Sequence, residues 1–291
     1  MNSQGQLPIS IVTVTHNSEG VIREFLENVL NSGAAEIIVV DCGSTDTTKE
    51  IVESTPSVQL LSIGNEGYGR GNNAGVSLAS QEYIFIVNPD VRVESEQLKM
   101  LFEFCSQLTS PAIVAPKMFH QSAGRKVYRR DSQFEGDRNR VVKVCGAAMM
   151  MPIALYKNLD GFDSNIFLYF EETDLCFRAK AIGADIYVCG LAEVEHFKSG
   201  STPSNPKYDH LRGWHDGWSK LYFVNKSSSG KLESAYRISK TLIQTYVKIL
   251  TKGISGNKSG QRREKNKLSG MKAFLKGEMA FSKNNKAKFT D

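Results

Sequence analysis

The sequence predicts an α/β fold, a doubly wound and mostly parallel sheet flanked by helices, with a helical, basic C-terminal appendage. Over residues 9–118, short apolar runs rich in β-branched residues alternate with helical patterns. This alternation is typical of right-handed βαβ units. A change of charge marks the appendage, because residues 1–219 carry 19 Lys/Arg against 27 Asp/Glu, whereas residues 220–291 carry 17 against 4.

Each predicted element is a short segment whose apolar residues repeat with the period of a strand or a helix. The predicted strands are Ile9–Thr15, Glu36–Asp41, Val58–Ile63, Tyr83–Val87 and Ala112–Ala115. The predicted helices are Ser18–Leu30, Thr47–Glu53, Gly71–Ala79 and Ser95–Leu108. Residues 119–141 form a charged loop in this prediction, and a second structured stretch runs from Val142 to His196. From His210 onward we expect helices, with a serine-rich break at residues 227–230.

These patterns divide the chain into a first domain, residues 1–206, and a basic helical region, residues 207–291. The first domain has two halves, residues 1–118 and 142–206. The last part of the basic region is rich in lysine and weakly patterned, so we expect part of it to be disordered.

Cysteine usage and the apolar segments limit the class of protein. The five cysteines are scattered and lack C-x-x-C spacing, which argues for a reducing compartment and against a disulfide or zinc framework. No basic region precedes the first apolar run, so no signal peptide is expected. The longest uncharged stretch, Cys145–Tyr156, is too short to span a bilayer. We therefore expect a cytoplasmic protein.

Polar residues follow the predicted strands at the edge where a parallel sheet binds ligands. His16-Asn17 follows the first strand, and the segment Asp41-Cys42-Gly43-Ser44-Thr45-Asp46 closes the second. A carboxylate at a strand end can accept a hydrogen bond from the imide N–H of a pyrimidine base, and Asp46 can cap the next helix. Turn chemistry alone explains the same residues, so both interpretations stand.

Asn88-Pro89-Asp90, after the fourth strand, is a candidate site for a cation and a diphosphate. Pro89 stiffens the turn, so Asn88 and Asp90 can face one pocket. One oxygen ligand together with a diphosphate suits Mg²⁺ or Mn²⁺, hard cations that keep several waters. An ordinary turn is the alternative. His196 ends an apolar run and is the second candidate ligand, although a lone histidine at a strand end is more often a hydrogen-bonding residue.

The acidic cluster Glu171-Glu172-Thr173-Asp174 follows an aromatic run and begins a predicted helix. In the first turn of a helix the backbone dipole favours carboxylates. A partly desolvated carboxylate can also act as a general base toward a hydroxyl group. Glu172, with Glu171 and Asp174, is therefore a candidate catalytic group. An acidic helix start that serves stability alone is the alternative.

Taken in this order, the motifs resemble those of family 2 glycosyltransferases, in particular the bacterial rhamnosyltransferase-like branch. The resemblance runs from about Ile9 to Ser201 and rests on an ordered set of segments: Ile11–Asn17, Asp41–Thr47, Asn65–Gly75, Asn88-Pro89-Asp90, Gly161-Phe162-Asp163, Tyr169–Arg178 and His196. It implies a GT-A fold and inverting, metal-dependent transfer of a sugar from a nucleotide-diphosphate donor by direct displacement. The branch implies deoxythymidine-diphosphate rhamnose as donor and a glycan or a lipid-linked saccharide as acceptor, in cell-surface polysaccharide synthesis.

The resemblance also implies roles for single residues. The residues that would hold the nucleotide and the donor are Thr15, Asn17, Asp41, Ser44, Asn73 and Asn88. Asp90 would bind Mg²⁺ or Mn²⁺, and His196 would complete the metal or diphosphate site. The sequence departs from the family pattern twice. The acid pair that contains the base reads Glu171-Glu172 in place of Glu-Asp, and the usual Asp-x-Asp reads Asn88-Pro89-Asp90.

The basic C-terminal region predicts contact with an anionic membrane surface. One helical face after the serine-rich break carries the apolar residues Ala235, Ile238, Leu242, Ile243, Tyr246, Ile249 and Leu250, and the other carries Arg237, Lys240, Lys248 and Lys252. A basic amphipathic helix suits the cytoplasmic face of an inner membrane. A helix packed on the catalytic domain or in a homodimer is the alternative.

Three other functions are alternatives to a glycosyltransferase. A nucleotidyltransferase would carry a Gly-rich, basic loop after its first strand, where this chain has His16-Asn17-Ser18-Glu19. A nucleic-acid-binding protein would use the basic tail, but few aromatic residues accompany its lysines, so no specific nucleic acid is expected. A catalytically silent relative is the third.

Overall fold

The computed structural model describes residues 5–128, 138–197 and 206–281. Its strands are β1 (Leu7–Thr15), β2 (Ala34–Cys42), β3 (Gln59–Ile63), β4 (Tyr83–Val87), β5 (Val91–Arg92), β6 (Ala112–Ser122), β7 (Arg125–Tyr128), β8 (Arg138–Arg140), β9 (Ala148–Pro152) and β10 (Asp185–His196). Its helices are α1 (Glu19–Leu30), α2 (Thr48–Glu53), α3 (Tyr68–Leu78), α4 (Ser95–Ser106), α5 (Ile153–Asn158), α6 (Glu171–Ala181), α7 (Pro206–Lys226), α8 (Lys231–Ile254) and α9 (Lys258–Leu275). The strands and helices predicted within residues 9–118 are confirmed as β1–β4, β6 and α1–α4.

The chain forms two compact units. The first comprises Met1–Asp163 and Glu172–Thr202, and it contains the whole sheet. The second comprises Ser164–Glu171 and Pro203–Asp291, and it contains α7, α8 and α9. The functional division at residue 206 stays a prediction.

The sheet has the order β3-β2-β1-β4-β9-β6-β10-β5, with β7 paired to β6 and β8 paired to β10. Strands β3, β2, β1 and β4 are parallel, as predicted. The other half is mixed, because β9 runs antiparallel to both β4 and β6. The doubly wound α/β fold is therefore confirmed, while "mostly parallel" describes one half only. An apolar run such as Ala148–Pro152 carries no periodicity that distinguishes a strand direction.

Alternate residues along the strands supply two cores, one on each face of the sheet. One core contains Ile9, Ile11, Ile22, Phe25 and Leu98. The other contains Val12, Val40, Val76, Met149 and Leu175. The chain order reverses between β1 and β4, so the carboxyl ends of these two strands flank the position where such sheets bind ligands.

Helix α3 begins at Tyr68, three residues before the predicted start at Gly71. Glycine disfavours an isolated helix, but here it permits a close approach to the sheet. A Cβ atom built on Gly75 would lie 2.6 Å from Cγ1 of Val12 and 2.9 Å from Cγ2 of Val40. Tertiary packing thus overrides the local propensity.

The second unit packs α7 against α9 around both tryptophans of the chain, Trp214 and Trp218. A Cβ atom on Gly217 would overlap the backbone of Lys267, so the two helices touch through their backbones. The predicted break at residues 227–230 separates α7 from α8. Helix α9 is ordered as far as Leu275 and buries Leu268 and Met271. Residues 282–291 lie outside the described residues, so disorder in the last part of the chain stays a prediction. Across residues 5–128, 138–197 and 206–281, no helix is long and apolar enough to cross a membrane.

Candidate functional site

The carboxyl ends of β1 and β2 form the first part of the site. Their parallel register places Thr15 opposite Asp41, and the Thr15 hydroxyl donates to Oδ1 of Asp41 at 3.3 Å. Oδ2 of Asp41 accepts the backbone N–H of Ser44 at 3.1 Å. The Ser44 hydroxyl in turn accepts the backbone N–H of Asn17 at 2.9 Å. The structure thus joins the four residues that were predicted to hold a nucleotide, and their binding of it stays a prediction.

Asn17 fixes the spacing between these two strand ends. Its φ of 52° lies in the left-handed region, which asparagine tolerates better than most residues. Its side-chain oxygen accepts the backbone N–H of Thr45 at 2.8 Å. The turn after β1 is therefore tied to the turn after β2 before any ligand arrives, which lowers the entropy cost of binding.

The second part of the site lies where β4 ends. Asp90 is only 4% exposed, and its Oδ1 lies 3.3 Å from Nε2 of His196. The backbone holds this pair, because His196 pairs with Val91 and the N–H of Phe197 donates to the carbonyl of Asp90 at 2.9 Å. The two residues predicted to bind a metal are thus adjacent. The Gly/Ser segment after His196, at residues 198–205, lies outside the described residues.

The oxygen atoms at this strand end suit a hard cation. Oδ1 of Asn88 and Oδ1 of Asp90 are buried, and neither accepts a hydrogen bond of good geometry from a described group. Among the described groups, the Asp90 oxygen has only the 3.3 Å contact with Nε2 of His196. Buried oxygens normally have a partner, and a cation would supply one. The described residues contain no group of three or more His, Cys, Asp or Glu that could hold a metal ion. A site with few protein ligands is typical of Mg²⁺ and Mn²⁺, because these ions complete their coordination shells with water and phosphate oxygens.

The third part of the site is the start of α6. The two residues before it, Tyr169 and Phe170, have φ angles of 68° and 72°. Such left-handed conformations cost on the order of 1–3 kcal/mol each and persist only where the surrounding structure imposes them. Glu171, which belongs to the second unit, is 3% exposed. Glu172 belongs to the first unit and is half-buried.

Glu172 lies against Gly146. A Cβ atom built on Gly146 would be 3.2 Å from Cβ and 3.6 Å from Oε2 of Glu172. The carbonyl of Gly146 accepts the Tyr68 hydroxyl at 2.8 Å, and the carbonyl of the next residue, Ala147, accepts the backbone N–H of Asn88 at 2.9 Å. One short backbone segment therefore links the predicted base to the predicted diphosphate site. The sequence reasoning missed Gly146 and Tyr68, although Tyr68 stands inside the Asn65–Gly75 motif.

Asp174 was predicted to be catalytic, and its geometry indicates a further role. It is fully buried, and its Oδ2 lies 2.7 Å from Nε of Arg178. The same guanidinium donates to the carbonyl oxygens of Leu159 and Gly161. These contacts indicate that Asp174 positions the turn around Gly161. The catalytic role of Asp174 stays a prediction.

Asn73 was predicted to lie near the donor, and its side chain is engaged with the protein. Its Oδ1 accepts the Tyr156 hydroxyl at 2.5 Å and the backbone N–H of Phe162 at 2.9 Å. Its Nδ2 donates to the carbonyl of Phe162 at 2.9 Å. Asn73 therefore ties α3 to the Gly161-Phe162 turn, and a direct contact with the donor stays a prediction.

The thiols beside the site are poor nucleophiles. Burial, with Asp41 and Glu66 adding negative charge, raises the pKa of Cys42 to about 12. Burial likewise raises the pKa of Cys176, in α6, to about 12. Since the thiolate is the reactive form, neither cysteine supplies a covalent nucleophile at neutral pH.

Comparison with known proteins gives a match over most of the first unit. The family model described as "Glycosyl transferase family 2" matches residues 10–187, more than half of the chain. The chain is similar to the low-salt glycan biosynthesis hexosyltransferase Agl10 of Haloferax volcanii, with 24% identity over 209 residues, 65% of this chain and 66% of that protein. It is also similar to the N-acetylglucosaminyl-diphospho-decaprenol L-rhamnosyltransferase of Mycobacterium tuberculosis, with 23% identity over 265 residues, 72% of this chain and 86% of that protein. These matches confirm the resemblance indicated by the motif order.

Among solved structures, the chain is similar to the mannosyltransferase PcManGT from Pyrobaculum calidifontis in complex with GDP-Man and Mn²⁺. The TM-score is 0.59 at 12% identity, covering 93% of this chain and 87% of that one. At such identity the likeness shows the fold alone, and it confirms the predicted glycosyltransferase architecture.

Proposed function

Since the chain belongs to glycosyl transferase family 2, we propose that it is an inverting hexosyltransferase that moves L-rhamnose from deoxythymidine-diphosphate rhamnose to a saccharide or lipid-linked acceptor. The predicted enzyme class, a glycosyltransferase, is confirmed by the family match and the relatives. The choice of rhamnose is supported by the name of the mycobacterial relative. The motif order of the rhamnosyltransferase-like branch also supports it.

One observation carries the mechanism. A short backbone segment lies between Glu172, the proposed base, and Asn88, which would lie beside the diphosphate. Glu172 lies against Gly146, and Ala147 accepts the N–H of Asn88. A direct displacement needs a base on one side of the anomeric carbon and stabilisation of the leaving group on the other. Glu172 and Asn88 lie against the consecutive residues Gly146 and Ala147, which supports such an arrangement.

The donor binds at the strand ends in this proposal. Asp41 accepts from the base, and Thr15 and Asn17 hold the base and ribose, within the hydrogen-bonded group described above. Asn88 lies beside the diphosphate. Preorganised polar groups of this kind bind a nucleotide at a low cost in conformational entropy.

Asp90, His196 and the carbonyl oxygen of the Asn88 side chain would hold Mg²⁺ or Mn²⁺. The cation supplies charge neutralisation for a leaving diphosphate. The buried oxygens of Asn88 and Asp90 fit this purpose, because a carboxylate and an amide oxygen are hard ligands. With a neutral amide in place of one carboxylate, we expect weaker metal affinity than a pair of aspartates would give.

Glu172 acts as the general base. The acceptor hydroxyl oxygen attacks the anomeric carbon, the bond from that carbon to the diphosphate oxygen breaks, and the hydroxyl proton passes to the Glu172 carboxylate. The diphosphate leaves with the electron pair, and one displacement inverts the anomeric centre. The hydroxyl of Thr173 donates to Oε1 of Glu172 at 2.9 Å, which leaves Oε2 for the acceptor.

The test separates donor binding from chemistry. A cognate donor with Mg²⁺ or Mn²⁺ raises the melting temperature by mass action, because it binds the native state alone. We expect Glu172→Gln to keep this shift and to lose transfer and donor hydrolysis by about 10²–10⁴-fold, the usual contribution of a general base. We expect Asp90→Asn to lose the metal-dependent part of the shift.

Glu103→Gln is the matched control, because Glu103 is an exposed carboxylate on α4, and it should keep both the shift and the activity. Full transfer by Glu172→Gln would show that the base lies elsewhere. A shift with other nucleotide sugars but not with deoxythymidine-diphosphate rhamnose would reject rhamnose as the sugar. Donor binding without any turnover by the wild-type chain would favour the catalytically silent relative.

A further inference from the structure

Helix α8 carries an exposed row of large apolar side chains, here called the apolar stripe: Leu232, Tyr236, Ile243, Tyr246, Val247, Leu250 and Ile254. Leu232 and Ile254 are 90% and 89% exposed, and the other members are between 46% and 66% exposed. Their spacings of three, four and seven residues place them on one face of the helix. From end to end the stripe is about 33 Å long at 1.5 Å per residue.

The opposite face of α8 is the one that packs, and it is small and polar. Its buried residues are Ser234, Thr241 and Thr245, and the Thr245 hydroxyl lies 3.7 Å from Sδ of Met271 in α9. An ordinary surface helix turns its apolar face inward. Here the buried residues are small and polar, three apolar residues of the helix are half-buried, and the apolar stripe points outward. The stripe is therefore left uncovered by the described part of the chain.

The stripe differs from the apolar face that the sequence predicted. Ile238, Leu242 and Ile249 belonged to the predicted face, and the structure makes them half-buried. Tyr236, Val247 and Ile254 lie on the exposed face instead, beyond the predicted set. The structure therefore changes the residues on which the prediction of a membrane contact rests.

The helices α8 and α9 carry an excess of positive charge. Helices α8 and α9 contain eleven Lys and Arg residues and two glutamates. Both glutamates have cationic neighbours, because Glu233 lies 3.5 Å from Arg237 and Glu264 lies 2.9 Å from Lys252. Burial, with Lys248 and Lys267 adding positive charge, lowers the pKa of Lys220 in α7. The surface thus combines uncovered apolar area with an excess of cations.

We propose that the apolar stripe docks on an anionic lipid bilayer, with α8 lying in the plane of the interface and its lysines among the headgroups. A bilayer offers both chemistries at once, acyl chains for the stripe and negative headgroups for Lys240 and Lys248. A nucleic acid would meet the charge but would leave the apolar side chains in water. A second copy would cover the stripe but would bring two strongly cationic surfaces together, which charge repulsion opposes.

The docking surface lies wholly in the second unit, and it does not depend on the proposed transfer of rhamnose. It adds a location for the enzyme, the bilayer surface, where a lipid-linked acceptor would be found. Donor binding and hydrolysis are measured without lipid, so a failure of one proposal is distinguishable from a failure of the other.

The test is co-sedimentation of the full chain with vesicles of phosphatidylcholine alone and of phosphatidylcholine mixed with phosphatidylglycerol. We expect binding to the mixed vesicles, reduced by salt, and little binding to phosphatidylcholine alone. The double variant Ile243→Gln/Leu250→Gln should weaken binding about tenfold or more, because it removes two of the apolar contacts while keeping helix propensity. The matched control is Ile182→Gln/Leu191→Gln, whose parent side chains are 53% and 61% exposed in the first unit. It should bind as the wild type does.

A second pair tests the charge. Lys240→Gln/Lys248→Gln should reduce the preference for vesicles with phosphatidylglycerol, by about tenfold at most. The control Lys157→Gln/Lys180→Gln removes two exposed lysines of the first unit and should leave the preference unchanged. Far-ultraviolet circular dichroism on each variant establishes that the helix content of the wild type is kept.

Three outcomes would overturn the proposal. The first is a wild-type chain that does not bind the mixed vesicles. The second is equal binding by the folded Ile243→Gln/Leu250→Gln variant. The third is a wild-type dimer in lipid-free buffer that this variant converts to a monomer while vesicles bind neither form, which would assign the stripe to a second copy of the chain.

Discussion

Gly75 lets α3 lie close to β1 and β2, so we expect Gly75→Ala to destabilise the first unit. The new Cβ would lie 2.6 Å from Val12 and 2.9 Å from Val40, whereas carbon atoms in contact are about 3.5–4.0 Å apart. Both valines are fully buried, and a β-branched side chain has few rotamers into which it can move. Overpacking costs about 1–3 kcal/mol. Because two contacts are too short, we expect the cost at Gly75 to lie near the upper end of this range.

The helix propensity of alanine offsets about 1 kcal/mol of that cost, which leaves a net loss of about 2 kcal/mol in the free energy of unfolding. For a unit of this size the melting temperature should fall by roughly 4–8 °C in scanning calorimetry. Gly20→Ala in α1 is the matched control, because nothing lies within 4 Å of a Cβ atom there. It should leave the melting temperature unchanged or raise it.

A double-mutant cycle tests the cause. Val12→Ala removes the methyl group that the new Cβ would meet, so Gly75→Ala should cost much less in the Val12→Ala background than in the wild type. If Gly75→Ala melts at or above the temperature of Gly20→Ala, or costs the same in both backgrounds, the close approach of α3 to the sheet does not limit stability.

Two further predictions concern buried charge. Burial lowers the pKa of His215 to about 3, below its unfolded value near 6.5, so its contribution to stability is present above pH 6.5 and is lost as the pH falls toward 3. The free energy of unfolding, measured by tryptophan fluorescence, should therefore fall by about 2 kcal/mol more between pH 7 and 5 in the wild type than in His215→Phe. An equal dependence on pH in both proteins would contradict this. Arg178→Met removes the partner of Asp174 at 2.7 Å and should lower the free energy of unfolding by about 3 kcal/mol, whereas an unchanged melting temperature would show that the ion pair is dispensable.

The positions of the strand-end residues could be predicted from the sequence. Thr15 and Asp41 end two apolar, β-branched runs, and parallel pairing brings the ends of such runs to one edge of the sheet. The register confirms that they are neighbours. The adjacency of Asp90 and His196 came from the family resemblance, because no local pattern relates two residues so far apart in the chain.

The partners of Asn73 and Asp174 could not be predicted in this way. Asn73 bonds to a turn 89 residues further along the chain, and Asp174 lies in a helix whose inward face depends on what packs against it. Motif membership identified both as residues of interest. It did not distinguish a side chain that faces a ligand from one that holds the protein around the ligand.

The sequence by itself determined the class of the fold, the order of the strand-end motifs and the acidic start of α6, because periodicity, turn residues and helix starts are local properties of the chain. Tertiary structure decided how each side chain is used. It enclosed Asp174, placed Glu172 against Gly146, and turned the apolar stripe of α8 outward. The physical reason is that burial depends on which surface packs against a residue. In α8 the small polar residues Ser234, Thr241 and Thr245 are buried, while most of its large apolar residues are exposed.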